Sequence, residues 1–273
     1  MPWIAFAGVR TGDGHVASQM PCQDAAAVRV VNDRLVVAAL ADGMGTAAHS
    51  DEGAARAVEL SINMLADWCG RVDDCPLPQD VHRMFEGVVE SVQRQASAIA
   101  EARSILVDAL KSTLIVVACT PNWVIAMSVG DGFVVARFAG SVEYRTILTP
   151  SKGEYDNETD SVLGSVAIER MRVFVENRPL ASLAVSSDGL LDVALRYHTW
   201  EPSQRLFQVI ETNIGSADSN DHTVREFLNL PILNTAELHD DKSLVCIRSV
   251  EAGIETLPPV EPLLSVTALD ITV

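Results

Sequence analysis

The chain has no basic run. Its 20 Lys and Arg stand against 37 Asp and Glu, a formal net charge of −17. Nucleic-acid binding needs clustered Lys and Arg on the phosphate backbone, so that class of partner is excluded. Aromatics are scarce at 5% while hydrophobic residues reach 48%, so the core must be built mainly of Val, Leu, Ile and Ala. The five cysteines are odd in number and show no CxxC spacing, which argues against a zinc site or a disulfide framework. Cys119 and Cys246 lie in apolar strand-like runs and read as buried, inert thiols. No apolar stretch approaches the ~18–20 residues of a membrane span, and the N-terminus lacks a basic region followed by a long apolar one. The expectation is a cytoplasmic protein with no membrane partner.

What is present is patterned. Trp3 to Val9, Ala25 to Val31 and Leu35 to Ala41 read as strands, the last two joined by an Asn32-Asp33-Arg34 turn. Ser50 is placed to cap a helix with Asp51 and Glu52 in its first turn, and Ala54, Ala57, Val58, Ile62 and Leu65 follow at helical spacing. A second helix is expected from Asp80 to about Glu101. Strands return at Ser112 to Cys119, Trp123 to Val129, Phe133 to Phe138 and Val142 to Leu148, with connections short enough for antiparallel meanders. The polar, turn-rich segment 149–164 reads as a functional flap. Two further strands are expected at Met171 to Glu176 and Leu183 to Ser187. Helices follow at Leu190 to Tyr197, Ser203 to Thr212 and His222 to Leu228, then a strand at Leu244 to Ser249. This order fits a single α+β domain over residues 1–250, with 251–273 as a C-terminal extension broken by Pro258, Pro259 and Pro262.

The chemistry lies in the carboxylates. Four Asp-Gly steps occur, and Asp-Gly is ordinary hairpin-turn chemistry. Asp131-Gly132, between two apolar strands, fits that reading. Asp42 and Asp188 differ, because each ends an apolar strand, where a carboxylate is costly unless paired or ligated. Hard divalent cations take such oxygen ligands. Asp240-Asp241 offers a third carboxylate, and Asp192 follows Asp188 at helical spacing.

These residues stand in an order that resembles the metal-dependent protein phosphatases, the type 2C serine/threonine family. The matching pieces are Pro21-Cys22-Gln23-Asp24, Ala41-Asp42-Gly43-Met44-Gly45, Val129-Gly130-Asp131-Gly132, Ser186-Ser187-Asp188-Gly189-Leu190-Leu191-Asp192 and Asp240-Asp241-Lys242-Ser243. Thr149-Pro150 and Gly153-Glu154-Tyr155 make it similar to a compact bacterial branch. The resemblance implies a β-sandwich of two antiparallel sheets flanked by helix pairs. It implies two Mn²⁺ or Mg²⁺ ions, with Asp42 bridging them, the Gly43 carbonyl on one, and Asp188 and Asp240 on the other. Asp131 and Asp192 match positions for a third ion, and Asp24 would hold metal-bound water. The reaction implied is hydrolysis of phosphoserine and phosphothreonine in a protein substrate by a metal-bridging water, without a phosphoenzyme, opposing a partner Ser/Thr kinase.

Two departures from the family pattern bear on substrate binding. The position of its phosphate-clamping arginine is Gln19, an amide that cannot make a bidentate ionic contact, and His15 is a candidate substitute. The position of a leaving-group histidine is Met44. The competing readings are a phosphatase-like binding or regulatory protein with little turnover, motivated by Gln19, and a small-molecule phosphomonoesterase.

Overall fold

The computed structural model describes residues 3–151, 159–214, 220–234 and 239–251. The middle of the expected flap, 152–158, and the expected C-terminal extension from 252 onward lie outside them. Ten strands are described: β1 (Trp3–Arg10), β2 (Ala25–Asn32), β3 (Leu35–Ala41), β4 (Leu114–Cys119), β5 (Val124–Val129), β6 (Phe133–Phe138), β7 (Arg145–Leu148), β8 (Arg172–Glu176), β9 (Leu180–Ser186) and β10 (Lys242–Ser249). They form two five-stranded sheets, β1-β10-β9-β6-β7 and β2-β3-β4-β5-β8, with every pairing antiparallel.

The central strands β3 and β4 are apolar without a break because both of their faces are covered. Along β3, Val36, Ala38 and Leu40 enter the layer between the two sheets, while Leu35, Val37, Ala39 and Ala41 face the helices α2 (Ser50–Cys69) and α3 (Pro78–Arg103). β4 repeats the division, with Ile115, Val117 and Cys119 inward and Leu114, Val116 and Ala118 toward those helices. Side chains alternate with period two along a strand, so two buried faces give a continuous apolar run. The other sheet is covered by α6 (Gln204–Val209) and α7 (Asp221–Leu228), whose Leu206, Phe207, Val224 and Phe227 pack on Val135, Ala184, Leu244 and Cys246. The result is a four-layer α-β-β-α sandwich, an α+β fold.

Three short helices complete the picture: α1 (Asp13–Ala17), α4 (Ala167–Arg170) and α5 (Leu191–Ala194), the last following a 3₁₀ turn at Asp188–Leu190. Several local expectations shift. Ser50 does not cap α2; it is the helix's first residue, buried against Gly43, and the cap position falls to His49, whose N–H donates to the Ala109 carbonyl (2.8 Å). The helix expected to reach Tyr197 stops at Ala194. β7 starts only at Arg145, because the side chain of Gln204 takes both the Tyr144 N–H (2.8 Å) and the Tyr144 carbonyl (3.0 Å).

Past α6 the helix widens into a π turn over Ile210–Ile214. This turn delivers Glu211 into the interior, where it meets Arg137, the Tyr144 hydroxyl (2.7 Å) and the Ser182 hydroxyl. Arg137 is only 1% exposed and its Nε lies 2.9 Å from Glu211. Attraction to Arg137, together with the Ser182 and Tyr144 hydroxyls, holds the Glu211 carboxyl below its ordinary range despite burial. Removing one partner of such a pair leaves a buried charge uncompensated. Glu211→Ala is therefore expected to cost about 3–5 kcal/mol, read as a lower urea midpoint at unchanged slope. A loss below about 1 kcal/mol would show that the pair is dispensable to the fold.

Candidate metal centre

Strand ends bring the acids together. Asp42 follows β3, Asp131 sits in the turn between β5 and β6, and Asp188 follows β9. The two sheets thus converge at one end of the sandwich on Asp42, Asp131 and Asp188, each offering a carboxylate oxygen within 4.8 Å of the others. Asp42 is fixed by Thr113: the Asp42 N–H donates to Thr113 Oγ1 (2.9 Å), and the Thr113 N–H donates to the Asp42 carbonyl (2.8 Å). The same threonine supports the Asp131 turn. Gly130 has φ 106°, in the left-handed region that favours glycine, and a β-carbon there would lie 2.6 Å from Thr113 Cγ2. Asp131-Gly132 is thus a turn whose carboxylate also joins the cluster; its Oδ2 accepts from the Thr159 hydroxyl (2.6 Å).

Asp24 is buried beside them, at 7% exposure. The Ser187 hydroxyl donates to its Oδ2 (2.7 Å), and the Ser243 N–H in turn donates to Ser187 Oγ (3.2 Å). Burial pushes Asp24 up to about 6. Burial, reinforced by Asp131 and Asp240, pushes Asp188 up to about 7, and burial with the charges of Asp24, Asp188, Asp240 and Asp131 raises Asp42 well above the ordinary carboxylate range. Asp188 Oδ1 and Asp24 Oδ1 are buried without a hydrogen-bond donor. Carboxyls this desolvated and crowded, which hold protons where no cation neutralises them, fit a hard divalent cation that displaces those protons.

The remaining expected residues are placed differently. Gly43 is buried in a β-bridge with Ser112, where a side chain would strike the Gln23 carbonyl at 2.7 Å. Asp240 is exposed beside the cluster, close enough to repel Asp42 and Asp188, and its Oδ1 accepts from the Asp241 N–H (2.8 Å). Asp192 is exposed on α5, outside the trio. Gln19 is exposed just past α1 with φ 57°, and Met44 is bound through its backbone N–H to the Lys111 carbonyl (3.0 Å).

His15 sits on α1, and its Nδ1 lies 3.0 Å from Asp241 Oδ2. Asp241 is 2% exposed and also accepts the Gly12 N–H (2.6 Å) and the Gln23 N–H (2.5 Å). Thus one buried carboxylate ties α1 and the segment leading to Asp24 onto the start of β10. Behind it, Lys242 Nζ donates to the Asp240 carbonyl (3.1 Å). Arg172 was not singled out from sequence, yet it donates to Thr149 Oγ1 (3.1 Å), Ser128 Oγ (3.1 Å) and the Gly130 carbonyl (3.2 Å), bracing the Asp131 turn. Asp241, Ser187 and Ser243 stand within the quoted motifs, next to the acids they support.

Two packed antiparallel sheets with an acidic cluster at one end are the build of a metal-dependent phosphatase. The family model described as protein phosphatase 2C matches residues 11–229. The chain belongs to the protein phosphatase 2C family, and so to the protein serine/threonine phosphatases. It is 26% identical over 254 residues to serine/threonine-protein phosphatase 3 of Escherichia coli (strain K12), covering 89% of this chain and 97% of that protein. In fold it is similar to the S. agalactiae serine/threonine phosphatase (TM-score 0.62, 14% identity, 90% and 99% of the two chains). It is likewise similar to RsbX in complex with magnesium (TM-score 0.54, 13% identity, 90% and 95%). Among the described residues no helix is long and apolar enough to cross a membrane.

The raised carboxylates make a stability prediction. With native pKa values above the unfolded ones, the folded chain holds these protons more tightly. Their contribution is present below about pH 4 and is lost as pH rises toward 7. Metal-free protein should therefore melt lower at pH 7.5 than at pH 5, and Mn²⁺ or Mg²⁺ should restore the loss. Asp188→Asn should relieve roughly 2–4 kcal/mol of the penalty and flatten the pH dependence. A variant profile parallel to the wild type would remove Asp188 from the repelling set.

Proposed function

We propose that this phosphatase domain, residues 1–250, hydrolyses phosphoserine and phosphothreonine in protein substrates at the Asp42–Asp131–Asp188 cluster, opposing a partner Ser/Thr kinase. The observation that carries the reading is the convergence of those three carboxylates within 4.8 Å at the seam of the sandwich. Asp42, Asp188, Asp240 and the Gly43 carbonyl would hold two Mn²⁺ or Mg²⁺ ions, with Asp131 and Asp192 available to a third. The magnesium in the RsbX complex supports that choice of ion. Bound there, the ions would activate water and neutralise charge on the phosphoryl oxygens.

The chain's own groups do the rest. Asp24, fixed by the Ser187 hydroxyl, orients the attacking water. Attack is direct and leaves no phosphoenzyme. Cys22 is the cysteine beside the site, and burial pushes its thiol up to about 12, which disqualifies it as a nucleophile. His15, its Nδ1 lying 3.0 Å from Asp241 Oδ2, has Nε2 left to face the substrate phosphate, the contact that Gln19 cannot make.

The test is Mn²⁺-dependent hydrolysis of an aryl phosphate and of a phosphothreonine peptide. Asp42→Ala and Asp188→Ala should each lower kcat/KM about 100-fold or more, and full activity in both would overturn the site assignment. Two ions bound by calorimetry without turnover would favour the regulatory reading. His15→Ala should cost about 10- to 100-fold in kcat/KM, the worth of one hydrogen bond to a charged group. A change below about twofold removes His15 from the machinery.

A further inference from the structure

A cleft of about 650 Å³ opens beside the metal centre, between β7 with Thr149 on one side and the α5–α6 loop on the other. It does not contain the carboxylate trio but adjoins it at two points. Asp192, on its wall, lies one helical turn beyond Asp188. Thr149, on the opposite wall, accepts from Arg172, which also binds the carbonyl of Gly130 next to Asp131. A group seated in the metal centre therefore has this concavity as a continuation.

The far wall is an unusually constrained loop. Leu195 and Pro202 form an antiparallel bridge, the Arg196 N–H donates to the Glu201 carbonyl (2.8 Å), and the Trp200 N–H donates to the Arg196 carbonyl (2.9 Å). His198 and Trp200 are both held in the left-handed region, at φ 70° and 56°. Bulky residues adopt that conformation only where the surroundings enforce it, and such positions gather at binding sites. The loop carries Tyr197, 57% exposed, edge-on to His198 and Trp200. It is fastened to the other wall by the Thr146 hydroxyl donating to the Trp200 carbonyl (2.6 Å). The walls are thus set before anything binds. β7 is moreover an edge strand, with no strand on its outer side among the described residues. An edge of extended main chain is a surface on which another polypeptide can lie.

We propose that this cleft receives, as an extended segment, the polypeptide on one side of the phosphorylated residue, with Trp200 as its principal contact. The proposal rests on the phosphatase reading above and deepens it by assigning the part of the surface that holds the substrate's chain beside its phosphorylated residue.

Two variants test it. Trp200→Gly removes the indole while glycine keeps the left-handed backbone free of strain. Thr199→Trp fills the cleft from an exposed position whose side chain accepts only a long hydrogen bond, from the Glu201 N–H (3.4 Å). Kinetics are measured with a phosphothreonine peptide of about ten residues, a length that spans the cleft, and with p-nitrophenyl phosphate. Each variant should raise KM for the peptide about tenfold or more while holding kcat/KM for p-nitrophenyl phosphate within about twofold. Peptide kinetics that are unchanged in Thr199→Trp, or that fall only in parallel with p-nitrophenyl phosphate in both variants, overturn the proposal. Failure of the wild type to hydrolyse either probe overturns the phosphatase reading instead, and this one with it.

Discussion

Mutual repulsion among desolvated carboxylates is the constraint around which the rest of the molecule is arranged. Asp24, Asp42, Asp131 and Asp188 are driven together by strand ends and repel one another at neutral pH. Only a stiff frame tolerates such a gathering without a cation. The frame is two sheets apolar on both faces, with α2 and α3 on one side and α6 and α7 on the other. The cost of the acids is offset by the apolar burial of that core, and the same cost is what a divalent ion relieves on binding.

Polar supports around the acids are few and shared. Thr113 serves both Asp42 and the Gly130 turn, Ser187 serves Asp24 while receiving the Ser243 amide, and Asp241 gathers Gly12, Gln23 and His15. Because each support serves two or three groups, the acids, the histidine and their turns are positioned as one unit. Substitutions among the supports should consequently combine non-additively.

Much of this was legible in the sequence, for identifiable reasons. β3 and β4 are read directly because both faces are buried and the apolar runs are unbroken, β5 and β6 because only a single polar residue interrupts each, and α2 and α3 announce themselves by helical spacing. Asp42 and Asp188 could be singled out because each ends an apolar run, whereas Asp131, between two strands, read as an ordinary turn and joined them only through the family resemblance. α1 could not be seen: five residues with none buried carry no apolar period. Nor could the division of labour between Asp240 and Asp241, two identical neighbours. Which of them turns inward depends on the pairing of β10 with β1, Lys242 opposite Arg10. Arg172 escaped notice because its partners, Ser128, Gly130 and Thr149, come from other segments. The widening of α6 at Ile210 likewise follows from Glu211 reaching Arg137, a contact 74 residues distant.

β3 is not only covered on both faces but paired along both edges, by β2 and by β4. Its amide protons can reach solvent only when the whole domain opens. Asp42, anchored at the end of that strand, therefore keeps its place for as long as the domain stays folded.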